Sequence, residues 1–138
     1  RASPAERGTA PGLTLRPAFE LWAGVLSRPE PGLALLSAGR RDVAFDADLP
    51  VPLRAVTRAG AAAASAGLPG AALSADGMRV TALADQHAFL QLPPASPLAP
   101  GDLVCLGISH PCTTFDKWRV IPVTDDEGRV IDAVHTFF

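Results

Sequence analysis

The sequence has 138 residues, of which 48% are hydrophobic and 19% are charged, which is typical of one globular domain with its own core. The net charge is −2 and no basic stripe is present, so nucleic acid is not a predicted partner. No run of about 18 apolar residues occurs, which excludes a membrane-spanning helix.

Fourteen prolines and twelve glycines divide the chain into short segments and favour β structure over long helices. Residues 1–11 are predicted to be a linker or ragged terminus. Alternating apolar residues then predict a strand at 13–25, with Pro17 marking an edge or a bulge. Further along the first half, turns are predicted at 28–32 and 38–41, a short buried strand at 33–37, an extended piece at 42–45 and a loop at 46–52.

The second half continues the pattern of strands and turns. Residues 53–58 fit either a strand or the start of a short helix, and the small side chains of 59–67 fit either a helix or a loop. Strands are predicted at 78–84, 88–92, 101–109, 119–124 and 129–138, with turns or connections at 76–77, 85–87, 93–100 and 125–128. These seven to nine strands predict an all-β fold, either a sandwich or a partly open β-barrel of short, mostly antiparallel strands.

The strongest predicted strand ends in two metal-capable side chains, His110 and Cys112. Alternation places Cys105 on one face of that strand and His110 on the other. If the extended backbone continues through Pro111, Cys112 lies on the side of His110, close enough for both to bind one ion. Imidazole and thiolate favour zinc, and two protein ligands leave positions open for water and substrate. The alternative is a hydrogen-bonded loop histidine and a packed thiol.

Four other side chains have weaker indications of a role. Cys105 is predicted to be a buried small hydrophobe rather than the disulfide partner of Cys112, and unpaired thiols indicate a reducing, cytoplasmic compartment. His87, in a polar break between strands, is a candidate third metal ligand, a group that hydrogen-bonds a metal ligand, or a proton carrier. The alternative is a surface histidine. His135 is predicted to be partly buried, and Trp118 to anchor the loop after Cys112.

The segment SHPCTTFDKWRVIPVTDDEGRVIDAVHTFF, residues 109–138, closely resembles the C-terminal end of the D-serine dehydratase / D-threonine aldolase-like family. Residues 12–46 resemble the start of the C-terminal domain of that family. The resemblance implies a pyridoxal-phosphate enzyme of the alanine racemase-like fold type, in which an N-terminal barrel carries the cofactor lysine. Residues 12–138 are then the C-terminal β domain. The chain, which lacks an initiator Met and a signal-peptide pattern, is expected to be part of a longer protein.

The resemblance also implies roles for individual residues. In the dehydratase branch a His-x-Cys pair binds zinc, and it corresponds here to His110 and Cys112. The family's Glu-His pair reads Gln86-His87 in this sequence, so the histidine is kept and the acid is replaced.

The implied reaction removes the β-hydroxyl of a D-serine-like substrate and yields a 2-oxo acid and ammonia. The expected cofactors are Zn²⁺ in this domain and pyridoxal phosphate on the barrel domain. The expected partners are that barrel, a small D-amino acid and a second subunit of a homodimer. The domain alone is expected to be inactive. Two alternatives remain, namely a D-threonine aldolase-type C–C lyase domain and a non-catalytic structural or dimerisation module.

Overall fold

The computed structural model describes residues 17–59 and 72–138. Nine strands and one short helix lie entirely within these ranges, which confirms the predicted all-β fold. The elements are β1 (Glu20–Glu30), β2 (Leu33–Leu36), β3 (Val51–Val56), β4 (Ala72–Leu73), β5 (Arg79–Leu83), β6 (Ala88–Gln91), β7 (Leu103–Gly107), α1 (Cys112–Phe115), β8 (Val120–Thr124) and β9 (Val130–His135).

Seven strands form one antiparallel sheet in the order β4-β3-β7-β1-β2-β6-β5. The long strand β1 connects its two halves, because residues 20–24 pair with β7 whereas residues 25–30 pair with β2. The register of β1 against β2 shifts twice in this second half, which is typical of β-bulges that bend a strand. Strands β3 and β5 also contact each other without pairing, so the sheet folds over itself as a sandwich rather than as a closed barrel.

The core lies between the two halves of the sheet and follows the period-two alternation of the strands. In β1, Leu21, Ala23 and Val25 are buried, whereas Trp22 and Leu26 on the opposite face are 42% and 51% exposed. Neighbouring strands present further buried side chains, among them Ala34, Leu36, Ala88, Leu90, Val104 and Leu106. Burial of apolar surface, which stabilises the folded state by about 25 cal/mol per Å², is the main stabilising contribution in such a core.

Cys105 is buried although it lies on the outer face of β7. It is paired with Trp22 of β1 and with Arg54 of β3. The Arg54 guanidinium lies 5.0 Å from the Trp22 ring and makes two hydrogen bonds, of 2.8 and 2.6 Å, to the Glu20 carboxylate. Burial, reinforced by the negative charge of Glu20, raises the pKa of the Cys105 thiol to about 12. The predicted burial of Cys105 is confirmed, but its thiol lies beside the charged groups of Glu20 and Arg54 rather than in a purely apolar environment.

Several predicted boundaries in the first half differ from the structure. The turn predicted at 28–32 is shorter, because β1 continues to Glu30, and β3 begins at Val51 rather than at residue 53. The extended piece predicted at 42–45 is wrong: the carbonyl of Gly39 accepts hydrogen bonds from the N–H groups of Asp42 and Val43, which closes a turn. The predicted linker at 1–11, the start of the first predicted strand, and nearly all of the segment at 59–67 lie outside the described residues.

The last two strands form a separate hairpin, β8-β9. Its turn contains Gly128 at φ 81°, a left-handed conformation that glycine adopts without steric cost. Every residue of β9 is exposed, so the prediction that His135 is partly buried is wrong. Among residues 17–59 and 72–138, β8 and β9 pair only with each other. In the described part of the chain, no helix has the length and apolar character needed to cross a membrane.

Candidate functional site

The predicted metal ligands lie in the segment that follows β7, here called the site loop (residues 108–118). Near the start of this loop, the Ser109 hydroxyl donates a hydrogen bond to the carbonyl of Leu49 at 3.0 Å. Pro111 then adopts φ −75° and ψ −21° and serves as the N-cap of α1. The condition under which Cys112 was expected on the side of His110, an extended backbone through Pro111, is therefore not met. The fixed φ of proline suits the first turn of a helix, and the Pro111 carbonyl accepts N–H groups from Thr114 and Phe115 at 2.9 and 3.1 Å.

His110 is paired with a carboxylate that the sequence did not identify. Its Nδ1 atom lies 2.6 Å from Oδ2 of Asp46, and the two side chains are 39% and 51% exposed. The other carboxylate oxygen accepts a longer hydrogen bond, of 3.4 Å, from the Thr113 hydroxyl. The hydrogen bond from His110 holds the pKa of Asp46 below its ordinary value, although partial desolvation opposes this. His110 is therefore held by one nitrogen and remains accessible to solvent.

Asp46 ends a segment, here called the bridging loop (residues 39–46), that is fastened to the site loop at two further points. The Trp118 indole Nε1 donates to the carbonyl of Asp42 at 2.7 Å, which confirms the predicted anchoring role of Trp118. The Ala44 N–H donates to Thr114 Oγ1 at 2.9 Å, and both of these residues are buried. Because a buried hydrogen bond is costly to leave unmade, this contact fixes the separation of the two loops.

The two cysteines differ in accessibility. Cys112 is a free, exposed thiol at the first residue of α1, and Cys105 is free and buried. Only Cys112 is therefore available to a ligand or a reagent. Three charged residues follow in the site loop and just beyond it, and all are exposed, namely Asp116, Lys117 and Arg119.

His87 lies at the other end of the bridging loop. It is exposed in the turn between β5 and β6, and the carbonyls of this turn accept the N–H groups of Arg40 and Arg41 at 2.9 and 3.1 Å. The bridging loop and this turn approach each other so closely that a Cβ on Gly39 would lie 2.5 Å from two carbonyl oxygens of the turn. Only glycine therefore fits at this position. An open depression of about 560 Å³ is lined by Arg40, Arg41, Ala84, Asp85, Gln86 and His87.

The bridging loop thus joins the turn of His87 to His110 without bringing the two histidines into one metal-binding group. Among residues 17–59 and 72–138, no three His, Cys, Asp or Glu side chains are grouped closely enough to hold a metal ion. A third-ligand role for His87 has no support from this geometry. Metal binding by His110 and Cys112 stays a prediction.

The comparison with protein families identifies the family of this chain. The model of the putative serine dehydratase domain matches residues 18–124, which include β1 to β8, the bridging loop and the site loop. The chain belongs to this family. The predicted family is therefore confirmed.

One solved structure that is similar to the chain is D-threonine aldolase from Filomicrobium marinum. The two share 21% sequence identity with a TM-score of 0.62, and the match covers 83% of this chain but 26% of that enzyme. At this identity the likeness shows the fold alone, and the chain spans about a quarter of the length of that relative. No curated protein matches the chain.

Sequence reasoning identified His110 and Cys112 but missed Asp46. The two partners of the 2.6 Å contact are 64 positions apart, and no spacing rule connects a loop acid to a histidine at that separation. The contact forms only in the folded chain, so the sequence itself carries no signal that singles out Asp46.

Proposed function

We propose that this chain is the metal-bearing domain of a pyridoxal-phosphate-dependent D-amino acid dehydratase that eliminates the β-hydroxyl of a D-serine-like substrate. The observation that carries the proposal is the accessible His110, bonded to a carboxylate, two residues before an accessible free thiol. Membership of the serine dehydratase domain family supports the reaction class. The His-x-Cys sequence favours the dehydratase branch, as the resemblance implies.

The donor atoms at this site fit zinc. An imidazole nitrogen and a thiolate are both ordinary zinc ligands, and their borderline-soft character disfavours magnesium and calcium. His110 and Cys112 would hold the ion, which when bound supplies Lewis-acid stabilisation of the negative charge that develops on the leaving hydroxide. The remaining ligand positions are left to water, to substrate or to groups outside this chain.

Pyridoxal phosphate is assigned to the part of the protein outside this chain, where it would supply the electron sink that lets Cα lose its proton. No residue of this chain is assigned to that cofactor. Lys117, the only lysine in the sequence, is exposed, and a lysine nucleophile is normally activated by desolvation or by a neighbouring cation. His87 as a proton carrier remains a prediction, because its turn is linked to the site only through the bridging loop.

The test uses the full-length protein and D-serine. We expect formation of a 2-oxo acid and ammonia, loss of this activity after chelation and its return with Zn²⁺. His110→Ala and Cys112→Ala should both lose activity and bound zinc. His135→Ala and Cys105→Ala are matched controls, because they remove the same side-chain types from the exposed hairpin and the core. Full activity after verified metal removal would refute the zinc role, and release of glycine and acetaldehyde from D-threonine would favour an aldolase.

A second candidate is a structural or dimerisation module without catalytic chemistry. It is favoured by the β8-β9 hairpin, which exposes apolar side chains that a free domain normally buries. Val130 and Ile131 are 66% and 65% exposed, and Phe137 and Phe138 are 94% and 88% exposed. In this case the site variants would leave D-serine turnover unchanged, while polar substitutions in the hairpin would change the assembly state measured by light scattering.

A further inference from the structure

The contact between Asp46 and His110 defines which nitrogen of the imidazole is available. An ionised carboxylate is an acceptor without a hydrogen of its own, so the hydrogen of the 2.6 Å contact lies on Nδ1 of His110. In the neutral imidazole the second nitrogen, Nε2, then carries a lone pair and no hydrogen. The short distance is typical of a charge-assisted hydrogen bond.

Asp46 is itself held in place, although its side chain is half exposed. Two residues before it, Ala44 is 1% exposed and bonded through its N–H to the buried hydroxyl of Thr114. Two residues earlier again, the Asp42 carbonyl accepts the Trp118 indole hydrogen bond. These two contacts fix the backbone of the bridging loop against the same site loop that carries His110. The carboxylate therefore meets His110 from a fixed backbone position rather than from a freely moving loop.

We propose that Asp46 is a positioning residue that fixes the tautomer and ring orientation of His110, so that Nε2 is the atom that binds the metal. The inference rests on the metal role proposed above for His110 and Cys112. A histidine ligand whose second nitrogen donates to a carboxylate is a more basic and better oriented ligand. Loss of such a partner typically weakens metal binding about 10–100-fold.

The first experiment needs no metal. In the metal-free chain labelled with ¹⁵N, two-bond ¹H–¹⁵N correlations of the His110 ring are recorded across a pH series, and the neutral form is taken from the alkaline plateau of the ring ¹⁵N shifts. We expect a protonated Nδ1 and an unprotonated Nε2. In Asp46→Ala the proton should redistribute between the nitrogens, and Asp46→Asn, which keeps an acceptor oxygen, should show a smaller change. The same Nδ1 tautomer in Asp46→Ala would overturn the proposal.

The second experiment measures zinc affinity of the full-length protein by competition with a chelating dye. Asp46→Ala should weaken zinc binding about 10–100-fold, and Asp46→Asn should lie between it and the wild type. Asp48→Asn is the matched control, because it removes an equal charge from the same exposed stretch, where Asp48 accepts a hydrogen bond from the Leu49 N–H. It should bind zinc as the wild type does, and circular dichroism checks that all variants are folded.

The outcomes separate this inference from the function on which it rests. A wild type that binds no zinc would refute the metal site, while the tautomer measurement would still decide what Asp46 does. Zinc affinity of Asp46→Ala within about twofold of the wild type, against the 10–100-fold expected, would refute the positioning role. Equal losses in Asp46→Ala and Asp48→Asn would also refute it, because a general effect of negative charge would then explain both.

Discussion

Replacement of Thr114 by valine tests whether one buried hydrogen bond holds the bridging loop on the site loop. The Thr114 side chain is 0% exposed, and its Oγ1 accepts the Ala44 N–H at 2.9 Å. Valine has nearly the shape of threonine but lacks the acceptor. Thr114→Val therefore keeps the packing and leaves the Ala44 N–H without a partner.

The expected loss of stability follows from the Ala44 N–H that Thr114→Val leaves without an acceptor. A buried donor that loses its acceptor destabilises a protein by about 1–3 kcal/mol. With a value of about 2 kcal/mol and a urea dependence of about 2 kcal/mol/M, the unfolding midpoint should fall by about 1 M. Thr114→Ser keeps the acceptor and loses one methyl group, which by analogy with Ile→Val should cost about 0.5–1.5 kcal/mol.

Urea unfolding measures these differences, and hydrogen exchange of the Ala44 amide distinguishes their causes. We expect faster exchange of this amide in Thr114→Val and native-like protection in Thr114→Ser. Thr81→Val is the matched control, because Thr81 is exposed and its hydroxyl makes a long bond of 3.3 Å to the Phe89 carbonyl. Its change should stay within about 0.5 kcal/mol. Wild-type stability and wild-type protection of Ala44 in Thr114→Val would show that this hydrogen bond does not fasten the loops.

Three further outcomes are expected. In the native chain an alkylating reagent should modify the exposed Cys112 and leave Cys105 unmodified until urea unfolds the protein. The reason is that burial raises the pKa of Cys105 to about 12, whereas the reactive species is the thiolate. Equal alkylation rates of the two cysteines, measured by mass spectrometry, would contradict this. Burial opposes ionisation of Glu20, but its bonds to Arg54 outweigh it and lower the pKa below 4.5. The stabilisation from this pair should thus be complete above about pH 4.5 and be lost as the pH falls through the folded-state pKa of Glu20. Glu20→Gln should therefore reduce the dependence of the unfolding free energy on pH in this acid range. An unchanged dependence would argue against a stabilising pair. Arg28→Lys should lower stability by about 1–3 kcal/mol, because an ammonium cannot reproduce the planar fork of the guanidinium. The Arg28 guanidinium donates to four carbonyls, those of Ser96, Leu98, Pro31 and Pro94. An unaltered urea midpoint in this variant would count against the predicted loss.

The fold was predictable where one physical rule acts alone. Period-two alternation correctly predicted the buried side chains of β1, and the Asp76-Gly77 turn appears with Gly77 at φ 73°. Strand ends were less predictable, because they depend on pairing with distant strands. β1 continues through Pro29 to Glu30 since Glu30 pairs with Leu33 of β2, and a proline near the end of a strand removes only one donor.

The candidate site was likewise predictable only in part. The His110–Cys112 pair was visible in the sequence because two metal-binding side-chain types adjoin a strong strand. The backbone between them stayed conditional at the level of sequence, because Pro111 is compatible with both an extended and a helical continuation, and the hydrogen bonds of α1 select the helical one. Asp46 was invisible because only the folded chain brings it within 2.6 Å of His110.

The exposure of the site is consistent with a domain that supplies only part of a catalytic centre. A structural zinc site of four protein ligands is closed, whereas a catalytic one keeps a position open. Here the His110 side chain is 39% exposed, Cys112 is exposed, and no third ligand is grouped with them within the described ranges. The related aldolase is about four times as long as the region it shares with this chain. In the proposed enzyme, the groups that complete the metal site and carry the cofactor would therefore come from outside this domain. In that proposal this chain would contribute the His110 imidazole, which Asp46 holds at 2.6 Å, and the exposed Cys112 thiol at the first residue of α1.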